Sequence, residues 1–397
     1  MQRVDRRRAF VVAAAVIAAA VVIPLGARSV EPHLTKDTLW ANAAGSLGGT
    51  MKPGDFGYVF LIAGDDVLAG RSPYMDADEF QGPPQAPYAY PPVLAILVTP
   101  LSALPEQVRG TFLPGVLFGL LLIAAMVGGL YLLDVRDWRC YPVALLAPFT
   151  LEAFEYGAIG PLLVLLVAVA WRYRNRPLAA GAASGGLVVL KLFLWPVLAW
   201  LAFTARVRAA TLGALLAAAL ALVSWSAIAF RGLLDYPRLL RKLVDVEADQ
   251  SYSAFAVLRA LDVPEIPARA LVVAAGIALL GLAWRAGRDQ RRLPVDRDRV
   301  SLGLALAAAL VLTPILWLHY LVLLFVPIAL VRPRLSWIWF VPLALTVLEW
   351  RDWYRGWPRG ELDSLLSVAI ATCAILIVAL RAKPPRHSEG RAGAAPA

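Results

Sequence analysis

Residues 178–203 read LAAGAASGGLVVLKLFLWPVLAWLAF, an apolar stretch broken by a single cation, Lys191. Arg172, Arg174 and Arg176 precede it, and Arg206 and Arg208 follow it. Two short apolar runs, 178–190 and 192–203, that begin and end at basic clusters describe a membrane hairpin. Basic loops stay on the cytoplasmic side, so Lys191 sits near the outer tip. Burying a lysine at mid-membrane costs about 2.5–3.5 kcal/mol on insertion scales. Such a group either snorkels to the surface or meets an anion, and a lipid phosphate would serve.

The rest of the chain follows the same pattern. It has 397 residues, 60% of them hydrophobic, with a mean hydropathy of +0.67. A soluble domain cannot hide that much apolar surface, whereas a bilayer can. The net charge of +10 is not a nucleic-acid footprint, because the basic residues cluster in short gaps between apolar runs. The cysteines, Cys140 and Cys373, lie outside the long polar loops, which argues against a structural disulfide. There is no CxxC or HExxH, so no dedicated metal cage and no cofactor is expected.

Arg3, Arg6, Arg7 and Arg8 precede an apolar run from Ala9 to Ala27, too long for a signal peptide core. We read it as a retained first helix with a cytoplasmic N-terminus. Further runs cover 111–133, 141–155, 157–171, 209–230, 266–285, 300–318, 320–331, 335–349 and 363–381. The gap at 285–299 holds six Arg against three Asp, and Arg332, Arg334, Arg381, Lys383 and Arg386 mark further cytoplasmic loops. By contrast the 28–90 loop carries four basic and eight acidic residues, and the 231–265 loop five and six. Both read as extracytoplasmic. The expected fold is an all-α polytopic membrane protein of about twelve spans in one domain, 1–382, with 91–104 re-entrant or tilted. The tail, 383–397, is expected to be disordered and cytoplasmic.

The first outer loop is the long polar feature of an otherwise oily chain. Gly54-Asp55-Phe56-Gly57-Tyr58 opens it to a stretch, Tyr58 to Ala69, that is apolar except for Gly64, Asp65 and Asp66. This predicts a helix lying in the membrane interface, apolar side down, ended by Gly70 and barred from resuming by Pro73. Asp55 sits at its start, where it is either an N-cap or a base able to take a proton from a hydroxyl; one carboxylate can do both. Asp65 and Asp66 read as the solvated face, and Asp76 as a reserve candidate for catalysis or sugar binding.

Asp55-Phe56-x-x-Phe60, Gly70-x-Ser72-Pro73-Tyr74 and Tyr90-Pro91-Pro92 resemble stretches of glycosyltransferase family 87. So do Leu190-Lys191-Leu192-Phe193, Gln250-Ser251 with Arg259, and Thr313-Pro314-x-x-Trp317-x-His319-Tyr320. The ordered set spans residues 55–320. A Gly-Gln-x-Asn signature common in that family reads Gly157-Ala158-Ile159-Gly160 here, without its amides. The resemblance implies a GT-C-type bundle that transfers a sugar, mannose above all, from a polyprenyl-phosphate donor to an extracytoplasmic glycolipid or glycan. It also implies a plasma-membrane location and no metal requirement.

Under that reading Asp55 is the catalytic base, and Lys191, His319 and Arg259 hold the donor phosphate. Tyr58, Asp76, Tyr90, Glu155, Gln250, Ser251, Trp317 and Tyr320 are candidates to touch substrate. The bland readings stand beside these. His319 can be a helix-end histidine satisfied by a carbonyl, and Arg259 can pair with Asp262 or Asp249. Trp317 and Tyr320 fit an aromatic belt. Glu152 and Glu155 lie in a membrane run, where an acid is a functional candidate by default; Glu155 is placed nearer the outer turn. Two other classes compete: a polytopic transporter, disfavoured because no internal repeat is evident, and an inactive binder of lipid-linked sugar.

Overall fold

The structure, a computed structural model, describes residues 54–81, 87–109, 113–248, 251–344 and 362–381. The expected first helix at 9–27, the loop before residue 54, Gln250, the end of the 335–349 run and the tail lie outside the described residues, as do the side chains of Tyr58 and Glu155.

A π-helical turn, Gly54–Phe60, leads into α1 (Leu61–Leu68). After the 70–91 loop come α2 (Pro92–Ser102), α3 (Leu113–Leu132), α4 (Cys140–Leu145), α5 (Pro148–Tyr156), α6 (Gly160–Arg172) and α7 (Pro177–Leu190). A 3-10 turn, Leu192–Leu194, joins α7 to α8 (Trp195–Phe203). Then follow α9 (Val207–Ala227), α10 (Tyr236–Glu247), α11 (Ala254–Ala260), α12 (Glu265–Arg288) and α13 (Pro294–Leu312). A second 3-10 segment, Leu318–Leu324, precedes α14 (Phe325–Val331), and α15 spans Leu362–Arg381. Among the described residues there is no strand.

Helices α3, α9 and α12 are long and apolar enough to cross a bilayer, and several shorter apolar helices accompany them. The chain is therefore read as an integral membrane protein. Short helices are tolerable at membrane depth when protein covers their ends, and that is the arrangement here. Helix α13 runs through the middle, buried from Asp298 to Leu310. Helices α7 and α9 touch through small residues: a Cβ on Gly185 would lie 2.5 Å from the Gly213 carbonyl oxygen. Close backbone approach of this kind takes the place of a hydrophobic driving force between helices in lipid.

The bundle has two chemically distinct ends. Helix α6 ends at Arg172, α7 starts after Arg176, α13 starts near Asp298, and α14 is followed by Arg332. At this end Arg174 Nε donates to Asp298 Oδ2 at 2.9 Å, while Arg206 reaches Oδ1 at 3.0 Å and Oδ2 at 2.6 Å. Trp200 Nε1 donates to the Asp298 carbonyl at 2.9 Å. One buried carboxylate thus joins three basic clusters that loop charge alone assigns to a common side. Asp137 makes a parallel link: it accepts from Arg139 Nη2 at 2.9 Å and from the Leu335 amide at 3.0 Å. The 14 residues of α7 carry the chain about 21 Å from this end to Lys191 at the other.

The stretch at 54–68 departs from expectation. It does not merely rest on an interface with its apolar side down. Phe56 and Phe60 are completely buried, Phe56 stacked on Phe118 of α3 at 4.4 Å and Phe60 edge-on to Tyr90 at 5.1 Å. Ser102 of α2 donates to the Leu61 carbonyl at 3.0 Å. Two aromatic rings four residues apart form a wedge, and the groove beside α3 offers them better burial than headgroups would. Gly70 then ends α1 in the left-handed region, φ 68°. Helix α2 has 11 residues, about 16 Å, roughly half the hydrocarbon thickness.

Candidate active site

The end of the bundle opposite the arginines holds a cavity of about 580 Å³. Its walls come from distant parts of the sequence: the Gly54–Phe60 turn, Ala89–Pro91, α5, Leu190–Phe193, α10 and Leu312–Tyr320. Asp55, Tyr90, Lys191, Trp317, His319 and Tyr320 all line it.

Local chemistry explains each wall. The 70–91 loop is clamped by tyrosines: Tyr74 Oη donates to the Tyr90 carbonyl at 3.0 Å and Tyr88 Oη to the Pro91 carbonyl at 2.6 Å, while the Ala95 amide donates to Tyr88 Oη at 2.9 Å. Tyr74 also stacks on Trp225 of α9 at 5.2 Å. The Ser72-Pro73-Tyr74 and Tyr90-Pro91-Pro92 motifs are thereby one device that holds Tyr90 in place.

Lys191 stands where α7 breaks, in extended backbone at φ −149°, ψ 100°. Its Nζ lies 3.7 Å from the centre of the Tyr90 ring and 4.7 Å from that of Tyr320. Two aromatic faces attract the ammonium without neutralising it. The Asp55 carboxylate is within electrostatic reach, and Tyr90 Oη donates to Asp55 Oδ2 across a long 3.4 Å. Tyr90 therefore offers its face to the cation and its hydroxyl to the anion.

The His319 wall is set by a broken helix. Pro314 stops α13 from continuing, Thr313 Oγ1 donates to the Ile315 carbonyl at 2.8 Å, and the Tyr252 amide donates to the Leu316 carbonyl at 2.8 Å. His319 Nδ1 then lies 3.8 Å from Glu152 Oε1 of α5, and its ring sits edge-on to Tyr320 at 4.4 Å. The Gly157–Gly160 stretch makes this approach possible. Gly157 ends α5 at φ 64°, and a Cβ on Gly160 would fall 2.8 Å from the His319 carbonyl oxygen.

Three expected site residues are not brought to the cavity. Arg259 Nη1 donates to the Val263 carbonyl at 3.0 Å, which closes its own helix. Ser251 is fully buried and its hydroxyl donates to the Ala248 carbonyl at 2.8 Å. Asp76 is exposed and accepts from the Asp78 amide at 2.9 Å, a local turn. None of the three is among the lining residues.

Conversely Glu152, Tyr156, Tyr236 and Glu247 line the cavity and were not singled out as substrate contacts from the sequence. On α10, Tyr236, Leu240, Leu243, Val244 and Glu247 fall on one helical face, turned inward. The carboxylates of Asp55, Glu247 and Glu152 all act electrostatically on Tyr320. Among the described residues no three His, Cys, Asp or Glu are grouped to hold a metal ion. One ammonium, one imidazole, three carboxylates and several aromatic faces in one cavity suit a ligand that is both phosphorylated and rich in hydroxyls.

Residues 88–314 match the family model described as glycosyltransferase family 87. The chain belongs to that family. The matched segment contains Tyr90, Glu152, Lys191 and Glu247; Asp55 precedes it and Trp317, His319 and Tyr320 follow it. The chain is also similar to a polyprenol-phosphate-mannose-dependent alpha-(1-2)-phosphatidylinositol mannoside mannosyltransferase of Mycolicibacterium smegmatis, 27% identical over 329 residues that cover 74% of each chain. No solved structure matches. As a member of family 87 the protein is a glycosyltransferase.

Proposed function

We propose that this glycosyltransferase moves a sugar, mannose in the first instance, from a polyprenyl-phosphate donor to an extracytoplasmic glycolipid or glycan, with inversion. The donor class is suggested by the M. smegmatis relative, whose name specifies polyprenol-phosphate-mannose. The observation that carries the reading is the meeting of Asp55, Lys191 and His319, from three distant segments, around one cavity.

In this mechanism Asp55 takes the proton of the acceptor hydroxyl as its oxygen attacks the anomeric carbon. The bond from that carbon to the phosphate oxygen breaks, and its electron pair leaves with polyprenyl phosphate. Lys191 and His319 lie where that charge develops, so preorganised cations rather than bulk water receive it. Glu152, beside His319, holds the imidazole's orientation. Trp317, Tyr320, Tyr236 and Glu247 are positioned to face sugar hydroxyls and ring faces. We assign no chemical step to Arg259, Ser251 or Asp76. The bundle of about twelve spans sits in the plasma membrane with both termini cytoplasmic, and the arginine end faces the cytoplasm under the positive-inside rule.

The test is transfer from labelled polyprenyl-phosphate mannose by purified protein. Asp55→Asn is expected to cut turnover by roughly 10²–10⁴-fold, the usual worth of a general base, while leaving donor binding near that of the parent. Transfer by Asp55→Asn at the parent rate would remove the base assignment.

A further inference from the structure

Helix α9 begins beside Arg206 at the arginine end, is long enough to cross the bilayer, and delivers the chain at Ala227 to the cavity end. In the turn that follows, Phe230, Leu233 and Leu234 are exposed, Leu234 at 82%, with the exposed Arg231 among them. Arg231 donates to the Gly70 carbonyl, which ties the turn to the end of α1. Helix α10 then divides into two faces. Tyr236, Leu240, Leu243 and Glu247 line the cavity. Arg238, Arg241 and Lys242 fall on the opposite face at helical spacing, with both arginines exposed. Asp245 shares that face but lies 3.6 Å from Arg269 of α12. Among the described residues no carboxylate forms an ion pair with Arg238, Arg241 or Lys242. The turn and the outer face together carry four cations, Arg231 included, against two carboxylates, Asp235 and Asp245.

We propose that the α9–α10 turn and the basic face of α10 form a docking surface for anionic phospholipids of the adjacent leaflet, with Phe230, Leu233 and Leu234 entering the leaflet and the guanidiniums of Arg238 and Arg241 meeting lipid phosphates. The occupant follows from the chemistry. Exposed leucines beside arginines, where a spanning helix leaves the bilayer, match a boundary at which acyl chains and phosphates lie side by side. A soluble acidic partner would satisfy the arginines and leave Leu234 in water. A zwitterionic headgroup would leave the excess of positive charge uncompensated. The surface goes beyond the sugar-transfer reading and does not depend on which donor is used. It has a consequence for the cavity all the same. One end of α10 is fixed by Tyr236, whose ring lies 5.0 Å from that of Tyr74 and 5.9 Å from that of Trp225. Lipid phosphates on the outer face steady the rest of the wall, out to Glu247.

The experiment uses full-length purified protein in nanodiscs of phosphatidylcholine, alone or in equal mixture with phosphatidylglycerol. A trace of phosphatidylglycerol carrying a diazirine in its headgroup is expected to label residues 229–242 in phosphatidylcholine nanodiscs. The double variant Arg238→Gln, Arg241→Gln should lower that label about 30-fold, the loss for two basic side chains at a charged leaflet. Equal labelling of this segment by the matching phosphatidylcholine probe, or label confined to other segments, overturns the proposal. Hydrogen exchange reads the same contact without a probe. In the parent the α10 amides should exchange more slowly in the mixed nanodiscs than in phosphatidylcholine alone, and the double variant should lose the difference. Identical exchange of parent α10 in the two lipids refutes the docking surface. Both comparisons on the parent stand whether or not the variant folds.

Discussion

Replacing Lys191 by Met separates catalysis from folding in a way the structure makes quantitative. The ammonium lies 3.7 Å and 4.7 Å from two ring centres. Each such contact is worth about 0.5–2 kcal/mol, more when water is excluded. Against this stands an insertion cost of about 2.5–3.5 kcal/mol for a lysine at membrane depth. The two sums nearly cancel, so Lys191→Met should change unfolding stability by no more than about 1 kcal/mol, because methionine fills a similar volume between the rings. Donor recognition should suffer far more. A charge-assisted hydrogen bond to phosphate contributes about 1.5–3 kcal/mol, which corresponds to roughly 10- to 150-fold in kcat/KM at about 1.4 kcal/mol per decade. Lys191→Arg should recover only part of this, since a planar guanidinium does not fit the tyrosine sandwich as a compact ammonium does. The assay is transfer from labelled polyprenyl-phosphate mannose, paired with thermal unfolding of the same detergent-solubilised sample. Turnover of Lys191→Met within about threefold of the parent, at unchanged stability, would falsify the phosphate assignment.

Other perturbations have equally definite outcomes. Arg259→Ala should keep donor KM within about threefold, because the guanidinium donates to the Val263 carbonyl instead of lining the cavity; a loss beyond tenfold would restore it to the phosphate site. Gly160→Val should abolish most turnover while the protein still purifies as a folded monodisperse species, because the added Cβ falls 2.8 Å from the His319 carbonyl oxygen and displaces that turn. Asp298→Ala leaves the partly buried Arg174 and Arg206 without their carboxylate and should cost about 1–3 kcal/mol of stability, seen as a lower unfolding midpoint. The Arg139 guanidinium beside Asp137 pulls that carboxyl down to about 2. A lowered carboxylate contributes stability that is complete above the unfolded value of about 4 and is lost as pH falls toward 2. Asp137→Asn should therefore unfold about 1–2 kcal/mol more easily at pH 6, and the difference from the parent should shrink steadily as pH falls from about 4 through 2.

The parts of the site that sequence made visible are those where a residue contradicts its surroundings. Lys191 stands out because it is a charge between two apolar runs, and Asp55 because it opens a polar loop in an oily chain. The arginine clusters marked one end of the bundle, and Asp298 now joins three of them. What stayed hidden depends on how helices turn. Glu247 lies on an amphipathic helix whose basic face, Arg238 and Arg241, is exposed, so its polarity reads as that of any surface helix. Only packing reveals that the Tyr236–Glu247 stripe faces a cavity. Of the two intramembrane acids the sequence favours Glu155, nearer the outer turn; its side chain lies outside the described residues, and Glu152, one turn before Tyr156, lines the cavity. Ser251 and Arg259 show the converse. Hydroxyls and guanidiniums that close a turn or a helix end carry the same letters as those that bind ligand.

The two ends of the bundle treat charge in opposite ways, and that difference is the argument for where chemistry occurs. At the arginine end, Asp298 is saturated: two guanidiniums contact its carboxylate and an indole contacts its carbonyl. Such a network is rigid and has nothing left to offer a ligand. At the cavity end, Lys191 rests on aromatic faces, and the Asp55 carboxylate is reached through the long Tyr90 hydrogen bond. Holding a cation and an anion apart across a cavity forgoes the stabilisation that a direct pair would supply. The separation becomes favourable once an anionic group fills the space beside the ammonium and a hydroxyl approaches the carboxylate. A saturated anchor at one end, tied through α7 and α13 to an unsaturated site at the other, is the arrangement a transferase needs to keep those two charges from collapsing onto each other between turnovers.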